Sequence, residues 1–304
     1  MRRDALVSDH KVLQLTRSGS IAYRDLPGPP GAPTLLLLHG IGMTADLNWA
    51  GSFATLRKRF RVVAPDLLGH GRSGRPTPDF RLEDCADDIA ELATALGVEQ
   101  FIAVGYSMGG LIAQLLWRRH PELTSGLVLC ASSRNFLGTL AERMTSLLAP
   151  AISVAAQLNP LMYAVGAGVL SQHLINDLSG ERRQYALREL NRTSMTTVAA
   201  ALVAASKFTS HEWIGQIDVP VSVLIPTRDT IVPPGRQRRL AEAIPHATVA
   251  TVDGDHSVCV SDPAQFSAKL LKACLATRAG VIPPSGSPIR RQLPGAHRNA
   301  ADAG

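Results

Sequence analysis

Cysteine is scarce here and widely scattered: Cys85, Cys130, Cys259 and Cys274 are the only four in 304 residues. None forms a C-x-x-C pair, which argues against a zinc site or a disulfide framework and fits free thiols in a reducing cytosol. Charged residues make up only 18% and aromatics only 5%, against 45% hydrophobic residues, a balance that excludes a disordered chain. The basic start MRRDALVSDH is followed by no apolar core segment, so no signal peptide is expected.

A long uninterrupted apolar run is missing too. Residues 144–176 carry no formal charge, but Pro150, Gln157, Asn159 and Pro160 break up the apolar part. A lone spanning helix tolerates such residues poorly, so the expectation is a pair of cap helices, with interfacial contact with lipid left open. The formal charge of +6 is partly terminal, since Arg278, Arg290, Arg291 and Arg298 face only Asp302 there. Basic runs at 57–59 and 236–239 have no interleaved aromatics and read as solvated faces, so no nucleic-acid partner is expected.

What is present is an alternation of strand-like and helix-like segments. Residues 12–15 and 21–25 flank Ser18-Gly19-Ser20 as a hairpin, and 34–38 form an apolar strand ending at His39-Gly40. Strands follow at 61–64, 101–104 and 126–130, with helices at 82–96 and 108–119. From 133 to 210 only helix-like material is found. The alternation then resumes with strands at 219–225 and 248–252 and helices at 234–243 and 263–276. Repeated β-α-β units with short links imply an α/β fold with a mostly parallel sheet covered on both faces. The expected organisation is a discontinuous core, 1–133 and 211–279, a helical cap at 134–210, and a disordered tail at 280–304.

Gly105-Tyr106-Ser107-Met108-Gly109 is a G-x-S-x-G sequence. Chance alone places one in about one chain in ten of this length, so its setting carries the argument. A strand runs straight into it and a helix leaves from it. That turn exposes the serine hydroxyl at the carboxyl edge of the sheet, above the N–H groups of a helix start. A serine hydroxyl needs a base, and His256 lies directly after the last predicted strand. Asp229 follows the preceding strand, where a carboxylate would orient the imidazole and stabilise its charged form. Asp253, nearer to His256 along the chain, stands as an alternative acid.

These features together resemble the α/β-hydrolase superfamily. The likeness rests on Gly-Tyr-Ser107-Met-Gly-Gly, His39-Gly40, the stretch from Asp66 to Ser73, Asp229 with Val232-Pro233, and Gly254-Asp-His256. It covers residues 10–277, and the order Ser, Asp, His matches. One departure is Pro226-Thr227, where many relatives carry a glycine before the acid. The resemblance implies a capped α/β-hydrolase fold with Ser107 as nucleophile, Asp229 and His256 completing a triad, and no metal or organic cofactor. It implies an oxyanion hole from the N–H groups of Ile41 and Met108, with His39 and His70 in supporting roles. Gly40, Tyr106, Trp49, Leu161, Met162 and Tyr163, with Leu147 and Ile152, are the expected substrate contacts for a small apolar ester. Carbon–carbon bond hydrolysis, lactone opening, thioester cleavage, peracid formation and a non-enzymatic receptor remain alternatives on the same fold. Cys259 is expected to be a buried, inert thiol.

Overall fold

Eight strands form one sheet in the order β1-β2-β4-β3-β5-β6-β7-β8. The computed structural model describes residues 10–74, 80–135 and 178–280. Strands β1 (Lys11–Leu15) and β2 (Gly19–Leu26) pair as an antiparallel hairpin, and β2 runs antiparallel to β4 (Arg61–Pro65). The remaining neighbours are parallel: β3 (Thr34–Leu38), β5 (Phe101–Tyr106), β6 (Thr124–Cys130), β7 (Val221–Pro226) and β8 (Thr248–Val252).

Side-chain alternation divides the core in two. Leu36, Leu38, Phe101, Ala103, Leu127 and Leu129 pack under α2 (Leu82–Ala95) and α3 (Met108–Arg119). Leu35, Leu37, Ile102, Val104, Val128 and Cys130 face the other way, under α1 (Ala45–Leu56) and α8 (Pro263–Ala279). Covering both faces explains why β3 is five consecutive buried apolar or threonine positions with no polar alternation.

Helix α1 is absent from the sequence expectation. Its cap is plain enough, with Thr44 Oγ1 accepting the Leu47 N–H at 3.1 Å. Its periodicity is obscured because Asp46, Asn48 and Ser52 are buried along with Leu47, Trp49 and Phe53. Asp46 tolerates burial because the guanidinium of Arg24, on β2, bonds both its oxygens.

Between β6 and β7 the described chain holds α4 (Gly180–Leu190) and α5 (Met195–Lys207). The ends of this insertion meet at an Asn135–Thr209 bridge and at the Ser210 N–H, which donates to Arg134 O at 2.8 Å. The centre of the expected cap lies outside the described residues, as do residues 281–304 of the expected tail. Helix α6 (Pro234–Glu242) links β7 to β8, and the short α7 (Val258–Ser261) precedes α8. No helix among the described residues is long and apolar enough to cross a membrane.

The chain leaves β3 toward β4 on one side and leaves β5 toward β6 on the other. The loops after these adjacent strands therefore diverge and open a crevice at their carboxyl ends, the usual ligand position in open α/β sheets.

Candidate active site

Ser107 stands at that crevice with φ 54° and ψ −116°, a backbone conformation that side chains other than glycine rarely adopt. Close packing imposes it. A Cβ on Gly105 would overlap the Gly109 carbonyl, and one on Gly109 would overlap Leu38 O. One on Gly110 would meet the Ser132 side chain. Ser107 is tied down by its N–H to Cys130 O and by its carbonyl, which accepts from Gly110 N–H, both at 2.9 Å. Because α3 begins at Met108, the amino end of that helix lies directly behind the hydroxyl.

The loops after β7 and β8 lie side by side because Pro226 pairs with Val252. Thr227 N–H donates to Val252 O at 2.9 Å and Arg228 N–H to Gly254 O at 2.8 Å, which locks the two loops together. Asp229, 3% exposed, therefore meets His256 although 27 residues separate them. His256 Nδ1 lies 2.8 Å from Asp229 Oδ2, and its Nε2 lies 3.1 Å from Ser107 Oγ. The carboxylate can only accept, so Nδ1 carries the proton and Nε2 is left to accept from the serine. Asp229 Oδ1 takes the N–H groups of Ile231 and Val232 at 2.9 and 2.8 Å.

Asp253, the alternative acid, is turned away. It bonds the Thr227 hydroxyl at 2.9 Å and pairs with Arg228 on the surface. Asp255 caps the next turn through the N–H and hydroxyl of Ser257.

Gly40 sits against the serine, and a Cβ there would lie 3.4 Å from Ser107 Cβ. Its N–H donates to Asn48 Oδ1 at 3.0 Å. His39 Nδ1–H donates to Gly40 O at 2.8 Å, while its Nε2 accepts the Leu67 N–H at 2.9 Å. Complete burial pushes the His39 pKa down to about 4, so the ring is neutral, as both bonds require. In a planar trans peptide the C=O and the next N–H point oppositely, so the bond to Gly40 O also aims the Ile41 N–H. Among the described residues, neither the Ile41 N–H nor the Met108 N–H meets an acceptor. His70, its ring centroid 5.1 Å from that of His39, donates to Leu68 O and is held neutral by burial, its pKa near 3.

Two expected substrate contacts are corrected. Trp49 is fully buried between Tyr106 and Phe266, ring centroids 6.1 and 6.2 Å away, and is a core residue. Tyr106 points into the same layer, because alternation along β5 turns it to the α1 and α8 face. Its hydroxyl donates to the His256 backbone carbonyl at 2.8 Å, so it supports the histidine loop from below. Leu161, Met162 and Tyr163, with Leu147 and Ile152, lie outside the described residues. Cys259 is buried next to Tyr106, and burial raises its thiol pKa to about 12, which leaves it inert. Asn48 and Gln237, whose amides hold the Gly40 and Asp229 loops, were not anticipated, since a lone amide carries no motif.

The profile of the alpha/beta hydrolase fold matches residues 33–263, and the chain belongs to that family. It is 30% identical over 252 residues to a putative carbamate hydrolase, RutD, of Agrobacterium fabrum, covering 80% of this chain and 94% of that protein. A hydrolase from Pseudomonas aeruginosa PA01 superposes with a TM-score of 0.77 at 25% identity, covering 88% of this chain and 99% of that one. The enol-lactonase from Burkholderia xenovorans LB400 gives 0.76 at 22% identity, over 87% of this chain and 100% of that one, a likeness of fold alone.

Proposed function

We propose that this chain is a serine hydrolase that cleaves carboxylic esters through an acyl-enzyme intermediate. The observation that carries the reading is the continuous hydrogen-bonded line from Ser107 Oγ through the His256 ring to Asp229. Ser107 attacks the acyl carbon as His256 Nε2 takes its proton, and Asp229 stabilises the imidazolium. The oxyanion is held by the N–H groups of Ile41 and Met108, donors worth about 3–4 kcal/mol each in such sites. The imidazolium then protonates the departing alcohol. Water, deprotonated by the same ring, releases the acid and restores the serine. An apolar acyl or alkyl group is the favoured substrate portion, supported by the uncharged sequence of residues 144–176.

A second reading is cleavage of a carbamate by the same residues, favoured by the 30% identity to the putative carbamate hydrolase. Both readings require an activated serine. A fluorophosphonate probe should label the chain at Ser107, and Ser107→Ala should abolish labelling and turnover of p-nitrophenyl esters. Failure of the folded chain to label or turn over would overturn the proposal. Comparing matched p-nitrophenyl esters of increasing acyl length with carbamates decides between the two readings.

A further inference from the structure

Gln237, on α6, is wholly buried and reaches back to the acid. Its Nε2 lies 3.1 Å from Asp229 Oδ2 and 2.7 Å from Val232 O. Both neighbours are acceptors, so the amide must present its two N–H bonds to them and cannot be flipped. That choice leaves Gln237 Oε1 buried with no partner, a cost an apolar side chain of similar size would avoid. The oxygen it touches is the one that accepts His256 Nδ1–H at 2.8 Å. Asp229 Oδ1, by contrast, is fully occupied by the N–H groups of Ile231 and Val232.

We propose that Gln237 is a positioning residue that sets the strength of the base: by sharing Asp229 Oδ2 with His256, it draws negative charge away from the imidazole. The inference rests on the triad reading above and names a regulator of that site. A carboxylate whose oxygen is bonded by an imidazole alone favours the imidazolium, and in that form Nε2 already carries a proton and has no lone pair to accept one from a serine. A fourth donor on the carboxylate lowers that stabilisation while keeping the ring oriented.

Other groups around His256 leave Asp229 as its charged partner among the described residues. Tyr106, from β5, touches its backbone carbonyl, and burial raises the phenol pKa well above its usual value, so it is neutral. Cys259, on α7, is a protonated thiol. Asp255 turns to Ser257, and Arg228 pairs with Asp253 at the surface.

The test is the titration of the His256 ring, read by NMR without turnover, in the wild type, Gln237→Met and Gln237→Leu. Asp229 stays anchored through Oδ1 in both variants, so the expected shift is upward, by about half a unit or more. The acidic limb of the kcat/KM profile for ester hydrolysis should move by the same amount. A role confined to holding the loop would loosen the Asp229–His256 bond and move the titration down. A downward or absent shift in a folded variant overturns the inference. A third measurement needs no variant: the Gln237 side-chain amide signals of the wild type must follow the His256 titration, and indifference to it overturns the inference. Fluorophosphonate labelling of Ser107 separates the two levels. Labelling with an unmoved His256 titration rejects the role of Gln237 alone, and absence of labelling rejects the triad reading together with it.

Discussion

Arg72 and Glu189 meet in a two-pronged ion pair, with Nη2 to Oε1 at 2.9 Å and Nη1 to Oε2 at 3.1 Å. Arg72 lies in the loop after β4 and Glu189 on α4, so the pair joins the insertion to the sheet domain. Thr44, the cap of α1, adds a hydroxyl to Glu189 at 2.8 Å, and Arg192 adds a guanidinium N–H at 2.9 Å. Burial raises the Glu189 pKa, but the hydrogen bonds from Arg72 and Thr44 outweigh it and hold the carboxyl below its usual range.

Glu189→Ala strips three donors of their acceptor and should cost about 3 kcal/mol of unfolding free energy in urea. Because the folded-state pKa is lowered, the contribution of Glu189 is complete above the unfolded carboxylate range. It fades as pH falls through the folded value. The stability gap between wild type and Glu189→Ala should therefore narrow in acid, and a gap that is constant down to pH 3 contradicts the account.

Ser107 is held with φ 54° by its neighbours, a strain glycine would not feel. Ser107→Gly should end hydrolysis and yet raise unfolding free energy by about 1 kcal/mol. Thermal denaturation of the two proteins side by side checks this. A less stable variant would mean that the elbow is not strained.

Tyr106→Phe removes the donor to the His256 carbonyl while leaving the ring in the core. A buried carbonyl left unsatisfied costs about 1–2 kcal/mol. Felt at the histidine loop, this should lower kcat about tenfold and leave KM little changed. Steady-state kinetics on one ester decides it, and an unchanged kcat argues against a supporting role.

Asp88, on α2, accepts from the Ser18 hydroxyl at 2.7 Å, but burial pushes its pKa up to about 6. The folded chain thus retains a proton that the unfolded chain loses near pH 4, so this group removes stability as pH rises from 4 to 6. Asp88→Asn keeps an acceptor for Ser18 and should be more stable than wild type by about 2 kcal/mol at pH 8, a figure reduced for solvent screening. Below pH 4 the two should converge. Urea denaturation across that range measures it, and equal stability at pH 8 refutes the raised titration.

Much of the sheet was legible in local pattern. The boundaries of β3, β8 and α3 coincide with the runs read as 34–38, 248–252 and 108–119, because apolar blocks bounded by glycine and proline leave few alternatives. The order of Ser107 after β5, Asp229 after β7 and His256 after β8 was equally visible, since a residue's place relative to its own strand is a local property. Helix α1 was not legible. Its buried Asp46 is satisfied by Arg24, on strand β2, and no periodicity within 45–56 announces that partner.

Identity and depth are separate matters for the aromatic residues. Trp49 and Tyr106 were expected, from the family resemblance, to contact substrate. Strand alternation sends Tyr106 to the far layer, and Trp49 meets it there from α1. Gln237 is likewise an ordinary helix residue until the turn at 230–234 folds it back over Asp229.

The chain's own order of residues thus decided which strand end carries a serine, an aspartate or a histidine, and which glycines permit the turn between β5 and α3. Whether those side chains touch was decided by sheet register, Leu38 beside Gly105 and Pro226 beside Val252. The Ser107–His256 hydrogen bond spans 149 residues, and its length depends on every strand spacing between them. Hydrogen bonds act over about 3 Å, so only the assembled sheet could bring the two together.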